Sequence, residues 1–196
     1  LEAIQDNHWN VIARKPASPG YEKAPVVMLQ SHMDMVCEKD PGVEHDFAKD
    51  PLKLRIDEKG KVTAVGTTLG ADDGVGVAVA LSILEDRSLR HPEIEVVFTA
   101  DEETDMNGAA SLDFRSLRAK HILNLDSRPV QVCGAGEMEF ITTIPKKESP
   151  VHANSALYTL TVDGLQGGHT GGQAMLERGN AIVLLNRILL TLDDEV

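Results

Sequence analysis

The sequence has no excess of positive charge, no long apolar segment and few cysteines. Its 31 Asp and Glu residues against 19 Lys and Arg give a formal net charge of −12 over 196 residues. Nucleic-acid binding needs a basic face that neutralises phosphates, so this balance argues against a nucleic-acid partner. The longest apolar run, 75–84, has about half of the ~20 residues that a membrane-spanning helix requires, so we expect no membrane segment.

Cysteine usage and the N-terminal composition favour the cytoplasm. The two cysteines, Cys37 and Cys133, are far apart and form no Cys-x-x-Cys motif, which fits reduced and buried thiols better than a disulfide. The first residues lack the basic start and apolar segment of a secretory signal. The sequence begins without Met and stops just after a helical pattern, so we expect an internal piece of a longer protein.

Motifs of several common enzyme classes are also missing. The sequence contains no phosphate-binding G-x-x-x-x-G-K-[ST] loop, no dinucleotide-binding G-x-G-x-x-G pattern, no G-x-S-x-G nucleophile elbow and no H-E-x-x-H zinc motif. Nucleotide-dependent chemistry, serine hydrolysis and a helix-borne zinc-protease site are therefore not indicated.

Apolar strand patterns alternate with a helical pattern. Runs typical of buried strands occupy 25–32, 93–100 and 121–126, and apolar residues recur at helical spacing over 73–89, where Pro92 prevents continuation. This order predicts an α/β domain with a mostly parallel sheet flanked by helices. The remaining predicted elements are strands at 9–13, 130–133 and 138–144, a hairpin formed by 52–56 and 61–65, and a short helix around 108–117.

The composition changes after a polar connector at 145–150. A strand pattern follows at 157–162, then a glycine-rich turn at 164–172 and a helical pattern at 174–192. We therefore place a domain boundary near residue 155. The first domain covers 1–155, and 156–196 begins a second domain.

Side chains that bind metals follow each of the three buried strands. They are His32 and Asp34, then Asp101, Glu102 and Glu103, then Asp126, and the helix start adds Asp72 and Asp73. The carboxyl ends of strands line one crevice in open α/β sheets, so these side chains should converge. With no Lys or Arg among them they would repel strongly unless a divalent cation lies between them. This donor set suits Zn²⁺, with Co²⁺ or Mn²⁺ as alternatives, and a carboxylate shared by two metals would make a two-metal hydrolytic site.

The spacing within these clusters indicates separate roles. Asp34 lies two residues after His32, so it can reach the imidazole nitrogen that the metal does not use and fix the tautomer. The adjacent Glu102 and Glu103 diverge, so that one binds metal while the other transfers a proton. Each signal alone has an ordinary alternative, namely a surface His beside an acid, two acids on a solvated loop, or a helix cap at Asp126. Their joint occurrence at strand ends favours the metal site.

The motifs occur in the order seen in the co-catalytic zinc dipeptidases. The matching segments are HMD at 32–34, GTTLGADDG at 66–74, TADEE at 99–103, NLDS at 124–127 and GGHTGG at 167–172. Within that group the sequence resembles the bacterial aminoacyl-histidine dipeptidases, also called Xaa-His or cytosol non-specific dipeptidases. The segment HDFAKDP at 45–51 is similar to that subfamily specifically.

The resemblance implies a zinc-peptidase-like fold and a role for each matching residue. The implied roles are Asp72 as the carboxylate bridging two Zn²⁺ ions, His32 and Asp126 as ligands of one ion, Glu103 as ligand of the other, Glu102 as general base for the bridging water, Asp34 as the acid behind His32, and His169 as a group that binds the substrate carbonyl or the tetrahedral oxyanion. It also implies that 1–155 is the catalytic domain and that 156–196 begins a smaller α+β lid domain through which a cytoplasmic homodimer forms. The implied activity is hydrolysis of dipeptides, with a C-terminal His preferred.

The sequence departs from the family pattern at both ends, since it lacks the family's N-terminal helix that packs on the sheet and most of the lid. The family's last zinc ligand is a His that follows the lid, and the sequence stops before it; His45 is the nearest substitute that remains. We therefore expect the second metal to bind weakly. Three alternatives stay open: a related tripeptidase, an N-acyl amino acid deacylase, or a catalytically inactive fragment that binds metal or another chain.

Overall fold

The computed structural model describes residues 1–126, the single positions 141, 143, 145, 147 and 150, and residues 153–168, 173 and 175–192. The chain forms two compact units, Leu1–Gly136 and Glu137–Val196. The assignment of 1–155 to catalysis and of 156–196 to a lid stays a prediction. Within the described ranges, no helix has the length and apolar character to cross a membrane.

The elements of both units follow in chain order. They are β1 (Glu2–Gln5), β2 (Val11–Lys15), β3 (Val27–His32), β4 (Leu54–Ile56), β5 (Val62–Ala64), α1 (Ala71–Glu85), β6 (Ile94–Thr99), α2 (Asn107–Ala110), a 3-10 turn (Phe114–Ser116), β7 (His121–Asn124) and α3 (Ala181–Leu189). The first unit contains all of them except α3. The predicted strands at 130–133 and 138–144 fall mostly outside the described residues.

A five-stranded sheet in the order β1-β2-β6-β3-β7 forms the centre of the first unit. Strand β3 pairs in parallel with β6 and with β7, whereas β1 and β2 add an antiparallel edge. The α/β prediction is confirmed, with a mixed sheet whose parallel part consists of the three strands that carry the metal-binding motifs. His32 lies opposite Thr99, and Gln30 lies opposite Asn124. The carboxyl ends of β3, β6 and β7 therefore lie at the same edge of the sheet.

Apolar side chains cover both faces of the central strand β6, but not those of the edge strand β7. All four residues of β7 are exposed, so the prediction that 121–126 is a buried strand is wrong; among the described strands, β7 pairs with β3 alone. All six residues of β6 are buried, as the near-continuous apolar run predicts for a strand covered on both sides. Successive strand residues point to opposite faces, so Val96 packs with Ala80 of α1 on one face while Val97 packs with Leu112 on the other. The helix and the segment after α2 thus hold the sheet between them.

Helix α1 begins beside the edge at which the parallel strands end. Gly70 precedes it with φ 71°, a left-handed conformation that glycine adopts without penalty. The backbone of Asp72 and Asp73 is not helical, and their peptide bond is cis. The buried Asp73 accepts a hydrogen bond from the Gly76 N–H at 3.1 Å and so caps the regular part of the helix.

Helix α1 ends at Glu85, four residues before the predicted end. Asp86 is extended, with φ −67° and ψ 120°, and its carboxylate accepts hydrogen bonds from the N–H groups of Ser88 and Leu89. This local turn competes with continued helix. The expected helix at 108–117 is divided into α2 and the 3-10 turn, whereas the hairpin of β4 and β5 is confirmed as antiparallel.

Three other expectations are wrong. The segment 157–162 forms no strand; Leu157 and Tyr158 are 98% and 86% exposed, because no described strand pairs with them. Helix α3 starts at Ala181 instead of 174, since the Asn180 side chain accepts a hydrogen bond from the Val183 N–H and fixes the N-terminus there. Cys37 is exposed in the loop after β3 rather than buried.

Candidate metal centre

Four carboxylates surround the imidazole of His32, the last residue of β3. His32 is 1% exposed, and its Nε2 atom lies 3.1 Å from Asp72 Oδ1. The same nitrogen lies 3.8 Å from both Glu102 Oε2 and Asp126 Oδ1. On the other side of the ring, Nδ1 lies 3.5 Å from Asp34 Oδ1. The sheet edge therefore brings together the side chains that the sequence places at strand ends.

Two groups of three potential ligands share His32. One group joins it to Glu102 and Glu103, and the other joins it to Asp72 and Asp126. Within each group the ligand atoms lie within 4.8 Å of one another. The first group belongs to the loop after β6, whereas the second combines the start of α1 with the end of β7. Each group could hold one cation, and the two candidate sites adjoin at His32.

Asp34 joins the loops after β3 and β6. Its Oδ2 atom accepts a hydrogen bond from the Glu103 N–H at 3.0 Å, and its carbonyl oxygen lies 3.1 Å from His32 Nδ1. A proton on Nδ1 would be donated to that carbonyl and would leave Nε2 free to bind metal. The predicted contact between the Asp34 carboxylate and Nδ1 is longer than this, at 3.5 Å, because β3 ends at His32 and Asp34 no longer follows strand geometry.

Burial and neighbouring groups raise the pKa values of His32, Glu102 and Asp126. Burial by itself disfavours the imidazolium of His32, but the hydrogen bond with Asp72 and the charges of Glu102 and Asp126 outweigh it and raise the pKa. Burial raises the pKa of Glu102, and neighbouring carboxylates add to the shift. Burial, followed by the hydrogen bond and charge of Asp72, raises the pKa of Asp126 to about 7. The cluster therefore retains protons at a pH where free carboxyls have lost them.

The residues present fit a divalent cation. Within the described part of the chain, no Lys or Arg forms an ion pair with Asp34, Glu102, Glu103 or Asp126. The buried Oδ1 atom of Asp34 has no hydrogen-bond partner there either. Carboxylates packed together at the end of a sheet need a compensating positive charge, and an imidazole with several carboxylates is a donor set for Zn²⁺, Co²⁺ or Mn²⁺.

The remaining polar residues near the centre have other partners. Asp101 has φ 63°, and its carboxylate accepts hydrogen bonds from the Thr104 hydroxyl and the Asn107 amide, so it belongs to neither ligand group. His45 is also in neither group, and its ring packs edge-on against Phe47 with centroids 4.5 Å apart. His169 lies outside the described residues.

An open depression of about 310 Å³ adjoins the cluster. Its lining is mostly apolar and consists of Val36, Thr68, Leu69, Gly70, Ala71, Asp72 and Glu103. Two residues of the candidate centre, one from each ligand group, thus face a space that accommodates an apolar side chain. A larger cavity, lined in part by Arg14 and Arg118, lies at the opposite end of β6.

Comparisons with known proteins agree with this arrangement. The chain is 40% identical to the cytosol non-specific dipeptidase of Escherichia coli (strain K12) over 94% of its own length and 39% of that protein. It superimposes on the crystal structure of aminoacylhistidine dipeptidase from Vibrio alginolyticus with a TM-score of 0.62 and 34% identity, covering 99% of this chain and 40% of that one. The chain spans about two fifths of the length of these relatives.

A tripeptidase from Staphylococcus aureus subsp. aureus Mu50 is also similar in structure. It matches with a TM-score of 0.52 and 25% identity over 64% of this chain and 34% of that one. The profile of peptidase family M20/M25/M40 matches residues 28–180, a span that includes both ligand groups. The chain therefore belongs to peptidase family M20/M25/M40.

Proposed function

We propose that the protein is a metal-dependent dipeptidase that acts on Xaa-His dipeptides. The observation that carries the proposal is the convergence of His32 with two carboxylate pairs, each within 4.8 Å, in a chain of this peptidase family. The relatives that match most of the chain are named as a non-specific dipeptidase and an aminoacylhistidine dipeptidase, which supports a dipeptide as the substrate.

The two ligand groups would hold two metal ions, Zn²⁺ in our proposal. The proposed ligands are His32, Asp72 and Asp126 for one ion and Glu103 for the other, with Asp72 shared between them. Bound there, such ions polarise a peptide carbonyl and lower the pKa of a water. The weaker of the two sites is the one that contains Glu103, for which the sequence provides no further His.

Glu102 would be the general base and acid. Its raised pKa suits this role, because a carboxylate of ordinary acidity is a poor acceptor for a proton from water. Glu102 Oε2 lies 3.8 Å from His32 Nε2, so it faces the place where the peptide bond would react. It would take a proton from the attacking water and return it to the leaving amine.

Asp34 and the apolar depression would orient the reactants. Asp34 contacts the His32 ring and the Glu103 backbone, so it would hold one residue of each group. The depression beside Asp72 and Glu103 would receive a substrate side chain. His169 would bind the substrate carbonyl or the oxyanion, and homodimer formation and a cytoplasmic location complete the proposal; these three parts rest on the resemblance and on the relatives' names.

A substrate panel tests the proposal. Purified protein, loaded with Zn²⁺ or Co²⁺, is incubated with Xaa-His dipeptides, other dipeptides, tripeptides and N-acyl amino acids, and free amino acids are measured. We expect release from dipeptides, fastest from Xaa-His. Preference for tripeptides would favour the second candidate function, a tripeptidase, which the structural similarity to the Staphylococcus tripeptidase supports. Metal binding without hydrolysis of any member would favour an inactive metal-binding chain.

A further inference from the structure

Asn10, at the start of β2, has a fully buried side chain with hydrogen bonds at both ends. It is 0% exposed. Its Oδ1 atom accepts a hydrogen bond from the Ala100 N–H at 3.2 Å, while Nδ2 donates to the Gly108 carbonyl at 2.9 Å and to Asp6 Oδ2 at 2.7 Å. The sequence places Asn10 within the strand pattern 9–13, and nothing in that pattern indicates contacts with residues 90 and 98 positions away.

The two backbone partners of Asn10 enclose the loop that carries Glu102 and Glu103. Ala100 directly follows β6, and Gly108 lies in α2, so one amide side chain joins the two ends of the segment 101–107. The contacts require an acceptor and a donor on the same short side chain. A carboxylate has no donor and an aliphatic side chain has neither, so only an amide of this length satisfies both.

Gly108 lies so close to Ala100 and Asn10 that no side chain fits between them. A Cβ atom on Gly108 would lie 2.1 Å from the Ala100 carbonyl and 2.6 Å from Asn10 Oδ1. Asp6 holds the amide from the other side, because its carboxylate accepts hydrogen bonds from both the side chain and the backbone N–H of Asn10. The base of the loop is thus fixed by buried hydrogen bonds, which are costly to leave unmade.

We propose that Asn10 is a positioning residue that holds the loop 101–107 so that Glu102 and Glu103 face His32. The inference rests on the proposed function in one respect, namely that both glutamates serve a metal centre. Its effect should be selective, because the Asn10 side chain bonds to Asp6, Ala100 and Gly108, whereas Asp72 belongs to α1 and Asp126 follows β7. Loss of the amide should therefore impair the group that contains Glu103 and spare the group that contains Asp126.

Cobalt titration of the intact chain tests this selectivity. The d–d absorption of Co²⁺ reports each binding step without turnover, and Glu103→Gln and Asp126→Asn identify which step belongs to which group. For Asn10→Ala we expect the Glu103-dependent step to weaken by about 10- to 100-fold, the range found when groups that orient ligands are removed. The Asp126-dependent step should change less than about threefold. Val97→Ala is the matched control for lost stability, because Val97 is a buried β6 residue whose side chain packs in the cluster of Ile12, Met28 and Leu112.

A double variant separates positioning from folding. Asn10→Asp alone keeps the acceptor for Ala100 but places a second carboxylate against Asp6, so it should weaken the same step. Adding Asp6→Asn restores a donor between these two side chains and should recover part of the affinity. The double variant also tests the proposal if Asn10→Ala fails to fold, because its Co²⁺ affinity can be compared with that of Asn10→Asp.

Three results would overturn the proposal. One is equal weakening of both steps in Asn10→Ala, as a general loss of stability would cause. Another is no change in either step, and the third is a wild-type chain with no Glu103-dependent step at all. Absence of peptide hydrolysis in a chain that shows the selective effect would count against the proposed function alone, since none of these readouts depends on turnover.

Discussion

The backbone N–H of Glu103 donates a hydrogen bond to the carboxylate of Asp34 at 3.0 Å. This contact joins the segment after β6 to the segment after β3, and the other Asp34 oxygen lies 3.5 Å from the imidazole of His32. A single carboxylate thus links a residue of the first ligand group to the imidazole that both groups share. Its removal should disturb ring orientation and loop position together.

We expect Asp34→Ala to weaken binding of the metal that His32, Asp72 and Asp126 would hold by about 10- to 100-fold, because it removes the group behind the ligand imidazole. Asp34→Asn retains an acceptor for the Glu103 N–H, so its metal affinity should lie between those of wild type and Asp34→Ala. Isothermal titration with Zn²⁺ measures both. Asp113→Asn is the control, since that exposed carboxylate also accepts a backbone hydrogen bond but directly precedes the 3-10 turn. Identical affinities for Asp34→Ala and wild type would contradict the prediction.

Glu102→Gln should abolish peptide hydrolysis while metal binding persists. The amide cannot accept a proton from water, and loss of general acid–base catalysis lowers rates by about 10²- to 10⁴-fold. Glu103→Gln should instead lower the affinity for the metal that Glu103 would hold. Metal content and dipeptide hydrolysis are measured for both variants. If Glu102→Gln loses a metal while Glu103→Gln keeps it, the two roles are reversed.

Metal binding should release protons and strengthen as the pH rises towards neutrality. The pKa of Asp126 is about 7, and the pKa values of His32 and Glu102 are raised as well. Metals bind deprotonated ligands, so below about pH 7 they must displace protons from this cluster, and above it the dependence should flatten. Calorimetry in buffers of different ionisation enthalpy counts the released protons. An equal count at about pH 6 and about pH 8 would contradict the prediction, because fewer protons remain to be displaced at the higher pH.

The sequence predicts the sheet edge well because a buried strand requires a run of apolar residues, and that run shows where the strand ends. The run at 93–100 predicts β6, and the acids after it converge on His32 as the crossover topology requires. Asp101 shows the limit of such reasoning. It is as close to the strand end as Glu102, but its left-handed backbone and its bonds to Thr104 and Asn107 turn it away, and neither feature has a pattern in the sequence.

The C-terminal unit was harder to predict for a different reason. The apolar pattern at 157–162 matches a strand, but a strand needs a partner, and no described strand pairs with Leu157 or Tyr158. In α3 the apolar periodicity extends further than the helix does, since Asn180 caps its start.

The role of Asn10 rests on partners 90 and 98 residues away, which no local pattern reveals.

Glu95 should make the stability of the first unit depend on pH in the acid range. Its side chain is 0% exposed, accepts hydrogen bonds from the N–H groups of Arg118 and Ala119, and pairs with Arg14 at 3.0 Å. Burial alone would raise the pKa of Glu95, but these contacts outweigh it and hold the pKa below the ordinary value of 4.5. A depressed carboxyl pKa contributes stability that is complete above about pH 4.5 and is lost as the pH falls through the folded-state value.

Glu95→Gln should therefore lower the free energy of unfolding near neutral pH, by roughly 3 kcal/mol if Arg14 and the two N–H groups are left poorly paired. Because the variant lacks the titrating group, its stability should also fall less steeply than that of wild type below about pH 4.5. Urea unfolding across this pH range measures both effects. Glu93→Gln, which removes a neighbouring and more exposed partner of Arg118, is the matched control and should cost about 1 kcal/mol or less. Parallel pH profiles for Glu95→Gln and wild type would show that the Glu95 carboxylate is not the group that titrates.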